Sequence, residues 1–354
     1  MSNLGQVVAT VQKNCHISDA QYAGDYTLCV FLLKMREFYR WENQIPFNGN
    51  LPREEVGRWM QEREQMWENL ETSSFEPLAL DTHHFDPFDS ASVNRTLVPQ
   101  GYVYSAGYGR FNKPHFFLGS LVRQEQRGNV TIYVSSCEYA RDLVAPPAMM
   151  QGNAIYLRQE SLRRYLWERI EEWRWNRNGE AMAHALGGYD FEEDVDRALD
   201  RMTDVETEST ILHELGEALA EQKLGDAWPR MLVELSRTNA EIMARAVRDL
   251  LADCLSTLPG LIERHDVPAL HFYFANFSGM RRHLFPEALA AYRRWLGDGN
   301  IQTLERLAAD GRARWFDAAM RLLELHQHHG EAAGPLIEAL LENPPACQIL
   351  SATQ

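Results

Sequence analysis

The chain has 354 residues, of which 45% are hydrophobic, and sets 50 Asp and Glu against 35 Lys and Arg for a formal net charge of −15. At about 150 residues per domain, that length and apolar content predict one large core or two ordinary ones, with two the default, rather than a disordered chain. An acidic surface without a Lys/Arg stripe would repel a phosphate backbone, which argues against a nucleic-acid ligand. The cysteines Cys15, Cys29, Cys137, Cys254 and Cys347 are odd in number, far apart and without a C-x-x-C pair, so reduced thiols are expected. Met1 to Cys15 has no basic region leading into an apolar stretch, and no run approaches the roughly 20 apolar residues of a membrane span. The expectation is a cytoplasmic protein without a secretory signal.

In chain order, the first strong helix is expected from an Asp25 N-cap through Glu42, with apolar residues on nearly every face of its first half and hence a central position. A second runs from Pro52 to Leu70 and carries Val56, Trp59, Met60, Met66 and Trp67 among charges. These define an N-terminal helical region, residues 1–98. Its last stretch, Asp81 to Asp89, concentrates three carboxylates with His83 and His84. Such a loop can present metal ligands or an acid/base group, or close local Asx turns; the sequence leaves open whether Asp81, His83, His84 and Asp86 belong to a site.

From Gly101 the period becomes alternating, predicting strands at Tyr102–Tyr108, Phe116–Arg123, Val130–Ser135 and Ala154–Leu157, with Arg127 to Asn129 as a hairpin turn. Pro146 and Pro147 break the chain before the last strand. Residues 99–158 thus read as a small antiparallel β region. Helix resumes from Glu160 to Asn176, with Leu162, Leu166, Ile170 and Trp173 on one face. Beyond Asp190 everything reads as helix, broken near Gly225, Pro259, Gly279, Gly297 to Gly299 and Gly330 to Pro335. Residues 159–354 form a C-terminal helical bundle in this reading, and the fold class expected is mainly α with a small antiparallel β-sheet insertion.

The sharpest chemical feature lies on the helix from about Glu206 to Leu224. His213 and Glu217 stand four apart and share a face, the spacing by which two side chains chelate one ion. The string nearly matches the zincin helix H-E-x-x-H, but Glu217 stands where the second His belongs, which favours iron or manganese over zinc. The helical wheel places Ile211, Leu212, Leu215, Ala218 and Leu219 on the core face and turns His213 and Glu217 away, so the pair forms a site only if a second partner covers that face. On the next helix, Thr238 to Glu241 reads as a capping box, and Glu241 and Asp253 are the second-helix ligand candidates. The aromatic segment from Leu270 to Phe277 buries His271, the remaining candidate. Gly101, Gly107 and Gly109 make no phosphate loop, and no nucleotide cofactor is indicated. Arg281, Arg282 and His283 read as solvated surface, and His326, His328 and His329 as cations complementing a helix C-terminus.

Four segments, His16–Glu37, His213–Glu217, Arg245–Pro259 and Leu270–Pro286, resemble a family of bacterial hypothetical proteins without an assigned activity. The resemblance covers most of the chain and carries over no catalytic residue. A looser similarity links it to helical proteins that bind metal through carboxylates and His on facing helices, although their paired Glu-x-x-His motifs are absent. Two functions are therefore expected in competition. One is a metal-dependent enzyme acting on a small molecule, with Fe, Mn or Zn held among His213, Glu217, Glu241, Asp253 and His271. The other is a non-catalytic binding or assembly protein with a partner surface at Trp167–Trp175 and Phe272–Phe285.

Overall fold

The computed structural model describes residues 4–109, 112–176 and 179–342; Cys347 lies outside them. The chain divides into two compact units, Met1–Arg174 with Asp190–Thr207, and Trp175–Tyr189 with Glu208–Gln354.

The first unit opens on a helix the sequence pattern does not mark, α1 (Leu4–Tyr22). Its buried face is half polar: Val7, Val11, Cys15 and Ile17 share it with Asn14, Ser18 and Asp19. Each of those polar groups finds a partner, so its burial is offset. Asn14 exchanges two hydrogen bonds with the Glu76 backbone, at 2.7 and 2.8 Å, and Asp19 accepts the Leu143 N–H at 2.9 Å. Val7, Val11 and Cys15 close a core with Leu78, Leu80, Val93, Leu97, Tyr104, Phe116, Leu118 and Ala140, each large side chain contributing about 1.5–3 kcal/mol by leaving water.

Helix α2 (Leu28–Glu42) starts after Thr27, while the expected cap Asp25 lies in a short 3-10 turn. Its first half is not central either. Leu28 is 70% and Leu33 58% exposed, and only the second half is buried, with Met35 and Phe38 against Trp67 of α3 (Arg53–Glu68) and Leu143. A run apolar all round has no preferred face, and here the central place is taken by α1, whose polar groups are the ones with partners.

Strands β1 (Leu78–Leu80) and β2 (His83–Phe85) form a hairpin turning at Asp81, which takes φ 52°. Asp86 accepts the Phe88 N–H, and Asp89 caps α4 (Ser90–Leu97) through the Ser92 N–H. Two of the three carboxylates of that stretch therefore close local turns, and His83 and His84 are exposed.

The five-stranded sheet comprises β3 (Tyr102–Tyr108), β4 (Pro114–Arg127), β5 (Val130–Arg141), β6 (Ala148–Gln151) and β7 (Ala154–Arg158), in the order β3-β4-β5-β7-β6. Gly128 at φ 60° makes the expected turn between β4 and β5. All pairs are antiparallel except β5 with β7, which is parallel. Register shifts between Leu118 and Arg123 mark a bulge in β4. At the end of β5 the alternation of side chains puts Ala140 in the α1 core and its neighbour Arg141 on the opposite face, over the Phe38 and Trp41 rings of α2. Helix α5 (Gln159–Asn176) follows β7 directly.

The second unit is helical. It holds α6 (Glu180–Leu186), the later part of α7 (Val195–Leu224), α8 (Ala227–Glu234), α9 (Asn239–Ala252), α10 (Leu258–Glu263), α11 (Val267–Ala275), α12 (Gly279–Leu284), α13 (Pro286–Asp298), α14 (Gln302–His329) and α15 (Gly334–Glu342). Thr238 caps α9 by accepting the Glu241 N–H. The helix does not break at Pro259; it continues through a π-helical turn, Asp253–Thr257, into α10. Its buried side is Met243, Ala244, Val247, Leu250 and Leu251. Phe272, Phe274, Phe277 and Phe285 are buried rather than displayed, with Phe274 stacked on Tyr292 at 4.5 Å between centroids; in the first unit Trp167 is buried as well, whereas Trp175 is 85% exposed. Among the described residues no helix is long and apolar enough to cross a membrane.

Candidate functional site

Residues 213, 216, 217 and 220 share one face of α7. Gly216 sits so close to α9 that a Cβ would lie 2.4 Å from the Ala252 carbonyl oxygen. The two helices therefore meet at Gly216, on the face that carries His213 and Glu217, and not along the apolar stripe. Of that stripe only Ile211 is fully buried and Leu219 is exposed, whereas the charged Glu206 is only 4% exposed. Small side chains weigh little on a hydrophobic wheel, which is why the wheel turns His213 and Glu217 the wrong way. The covering partner that face requires is α9.

The contact places His213 between two carboxylates. Its Nδ1 lies 3.1 Å from Asp253 Oδ1 and its Nε2 lies 3.5 Å from Glu217 Oε1. Asp253, at the first residue of the π-helical turn, is wholly buried. Its other oxygen accepts from Arg281 at 2.8 Å and from the Tyr273 hydroxyl at 3.0 Å. Arg248 reaches Glu217 at 2.9 Å and Asp249 at 3.2 Å. Burial alone would lower the His213 pKa, but the hydrogen bonds with Asp253 and Glu217 hold it well above the ordinary imidazole value. Burial raises Asp253, yet the bond to His213, its charge and that of Arg281 leave the carboxyl below its usual range. Beside them Glu214 is pushed up to about 7 by burial and then by the charge of Glu217. The His213 side chain is still 32% exposed, so the charged centre is open to small molecules on one side.

Three of the five candidates are thus assembled: His213, Glu217 and Asp253. The Glu241 carboxylate instead accepts the Arg237 N–H at 2.7 Å and pairs with Arg245 at 2.8 Å, at the far end of α9. Twelve residues, about 18 Å of helix, separate it from Asp253. His271 faces the Tyr292 hydroxyl at 2.9 Å, with the His184 ring 5.1 Å away; burial, then His184, lower its pKa. Sequence reasoning misses Tyr273 and Arg248 and places Arg281 on solvated surface. Only a tertiary contact reveals that Arg281 pairs with a buried carboxylate 28 residues away in sequence. His326 pairs with Glu234 at 2.8 Å.

The first unit has a second charged network around α1. Lys113 donates to Asp19 at 2.8 Å, and His115 lies 3.1 Å from Asp142, all four side chains being buried. Burial raises Asp142, but the charge and hydrogen bond of His115 and the charge of Lys113 bring its carboxyl far below the usual range. Asp142 also accepts the Val144 and Ala145 N–H groups at 2.9 Å each. Asp19, through Lys113 and the Leu143 N–H, ties α1 to the sheet, while Asp142 holds the turn that follows β5.

Residues 6–158 match the N-terminal domain, and residues 163–344 the C-terminal domain, of a family of unknown function (DUF6866). No curated protein and no solved structure matches the chain.

Proposed function

We propose, for a chain that belongs to the family of unknown function DUF6866 through both of that family's domains, a small-molecule enzyme that works by proton transfer at the His213 centre. The observation that carries this reading is the hydrogen bond between His213 Nδ1 and a wholly buried Asp253. A carboxylate fixed by Arg281 and Tyr273 orients the imidazole and stabilises its charged form, while Nε2 faces Glu217 at 3.5 Å on a side chain that is 32% exposed. Glu214, held near neutrality, supplies a second group able to give or take a proton at physiological pH. Arg248 and Arg281 offer positive charge to a substrate anion or to negative charge developing during reaction. Incubating the protein with a fractionated metabolite extract, and following depletion by mass spectrometry, tests it. Turnover should vanish in His213→Gln and survive in Glu241→Gln. Turnover unchanged in His213→Gln would sink the reading.

A metal-dependent version has its own support. The 3.5 Å between Nε2 and Oε1 is close to the bite of an ion bonded to both at about 2.1 Å, with Asp253 behind Nδ1 as the supporting carboxylate. Fe, Mn or Zn would take that place, completed by solvent or substrate. Elemental analysis of purified protein beside His213→Ala separates the two: near-stoichiometric metal lost in the variant favours the metal, and metal-free active protein favours proton transfer alone. A cytoplasmic setting is part of this proposal, supported by the free thiols of Cys15, Cys29, Cys137 and Cys254.

A further inference from the structure

Arg141, at the end of β5, is 1% exposed, and its Nε and Nη2 atoms have no hydrogen-bond partner. Its neighbour Arg158 on β7 is buried almost as deeply, but has Glu138 across the same two nitrogens at 3.1 and 2.6 Å. The Arg141 guanidinium instead lies over aromatic faces, Phe38 at 5.6 Å and Trp41 at 5.1 Å. Burial, and then the guanidinium of Arg164, pull its pKa down to about 10. Lys34 on α2 is lowered in the same way, by burial and then by Arg164. Glu138 and Glu160 are near enough to offset part of the Arg141 charge, but its two buried nitrogens still lack hydrogen-bond acceptors, and leaving a buried donor unpaired is costly.

Arg141 lines a cavity of about 370 Å³ together with Arg40, Arg163, Arg164, Trp41 and Phe47, within the size range of small-molecule sites. The carboxylates around it are already engaged. Glu37 pairs with Arg36 and Arg40, Asp196 with Arg163, and Glu168 with Arg164; Glu160 accepts the Glu138 N–H at 2.6 Å. Arg164 gives Nη2 to the Val144 and Ala145 carbonyls but leaves a buried Nε without a partner. The buried guanidinium donors of the cavity left without an acceptor are therefore those of Arg141 and Arg164. Between Arg40 and Arg163 the Phe47 ring supplies a flat apolar wall, 6.0 and 5.1 Å from their guanidinium carbons.

We infer that this cavity of the first unit binds a small organic anion, its carboxylate or phosphate set against Arg141 and Arg164 and its apolar body against Trp41 and Phe47. The site shares no residue with the His213 centre and stands whether or not that centre is catalytic.

Thermal unfolding and tryptophan fluorescence of the full chain, titrated with benzoate, phenyl phosphate and inorganic phosphate against potassium chloride at equal ionic strength, test it. At least one aromatic anion should give a saturable rise of roughly 2 °C or more, and the stronger of the two identifies the head group. Inorganic phosphate should bind at least severalfold more weakly, and chloride should have no saturable effect. Arg141→Met should abolish the response. Arg163→Gln, on the cavity rim, should weaken binding severalfold with little change in stability. No saturable response in the wild type, or a response undiminished in Arg163→Gln and in any folded Arg141→Met, would overturn the site. Inorganic phosphate binding as tightly as both aromatic anions would overturn the apolar subsite.

Discussion

His213 holds its proton because two carboxylates face it from different helices, and that pairing has a sign in pH. The folded-state pKa of the imidazole lies above its unfolded value of about 6.5. The stability it contributes is therefore fully present below that value and is lost as pH rises through the folded pKa. Replacing Asp253 by Asn removes the largest favourable partner and leaves Glu217 alone to oppose burial. The His213 pKa should drop, and the fall of stability with rising pH should flatten; a histidine-resolved NMR titration with melting curves at several pH values reads both. An unchanged titration would mean that Asp253 does not hold the proton in place. The four-residue spacing of His213 and Glu217 is legible in the sequence because helical geometry is local. The residues that give the pair its character, Asp253, Arg281 and Arg248, come from elsewhere in the chain.

At the scale of elements, the centre depends on how closely α7 approaches α9. A methyl group at Gly216 would meet the Ala252 carbonyl oxygen at 2.4 Å, which backbone cannot yield without the helices parting. Gly216→Ala should cost about 1–3 kcal/mol despite the better helix propensity of alanine. It should also bring the His213 pKa down as Asp253 recedes, which chemical denaturation and the same titration would show. In the first unit, α1 holds the central place expected for α2 because Asn14, Ser18 and Asp19 find partners there. Lys113 is the counter-charge for Asp19 and lies near Asp142. Lys113→Met leaves buried carboxylates without their ammonium and should destabilise by about 3–5 kcal/mol, measured as a shift in denaturant midpoint without loss of two-state behaviour. Strands were the more legible elements. The alternation from Tyr102 to Leu157 marks four of the five strands of the sheet and its Gly128 turn, since a period of two survives whatever packs above it. Patterning is less informative for α1, whose inward face is part polar.

Across the whole molecule, the formal charge of −15 describes the surface average and nothing about a local cavity, so an acidic protein can hold several arginines around one pocket. Its overall pH response follows from the buried acids. Glu214, raised to about 7, is protonated in the folded state at mildly acidic pH, and the stability this provides is lost as pH rises through that value. Asp253 and Asp142 are depressed, so their contribution is present above about pH 4 and is lost on acidification through their folded pKa values. The protein should accordingly be more stable near pH 5 than near pH 8, and Glu214→Gln should reduce the alkaline loss; melting temperatures across that range check the sign. The mainly helical class, the β region with its hairpin and the His213–Glu217 pair are readable from the residues alone, because they rest on periods and spacings of a few residues. That α1 rather than the start of α2 is central, that α9 covers the polar face of α7, and that two buried nitrogens of Arg141 have no hydrogen-bond partner are visible only once the chain is folded. Those outcomes depend on partners 40 residues apart for His213 and Asp253 and 94 apart for Asp19 and Lys113, and the charge of a buried group is set by what faces it across such a contact.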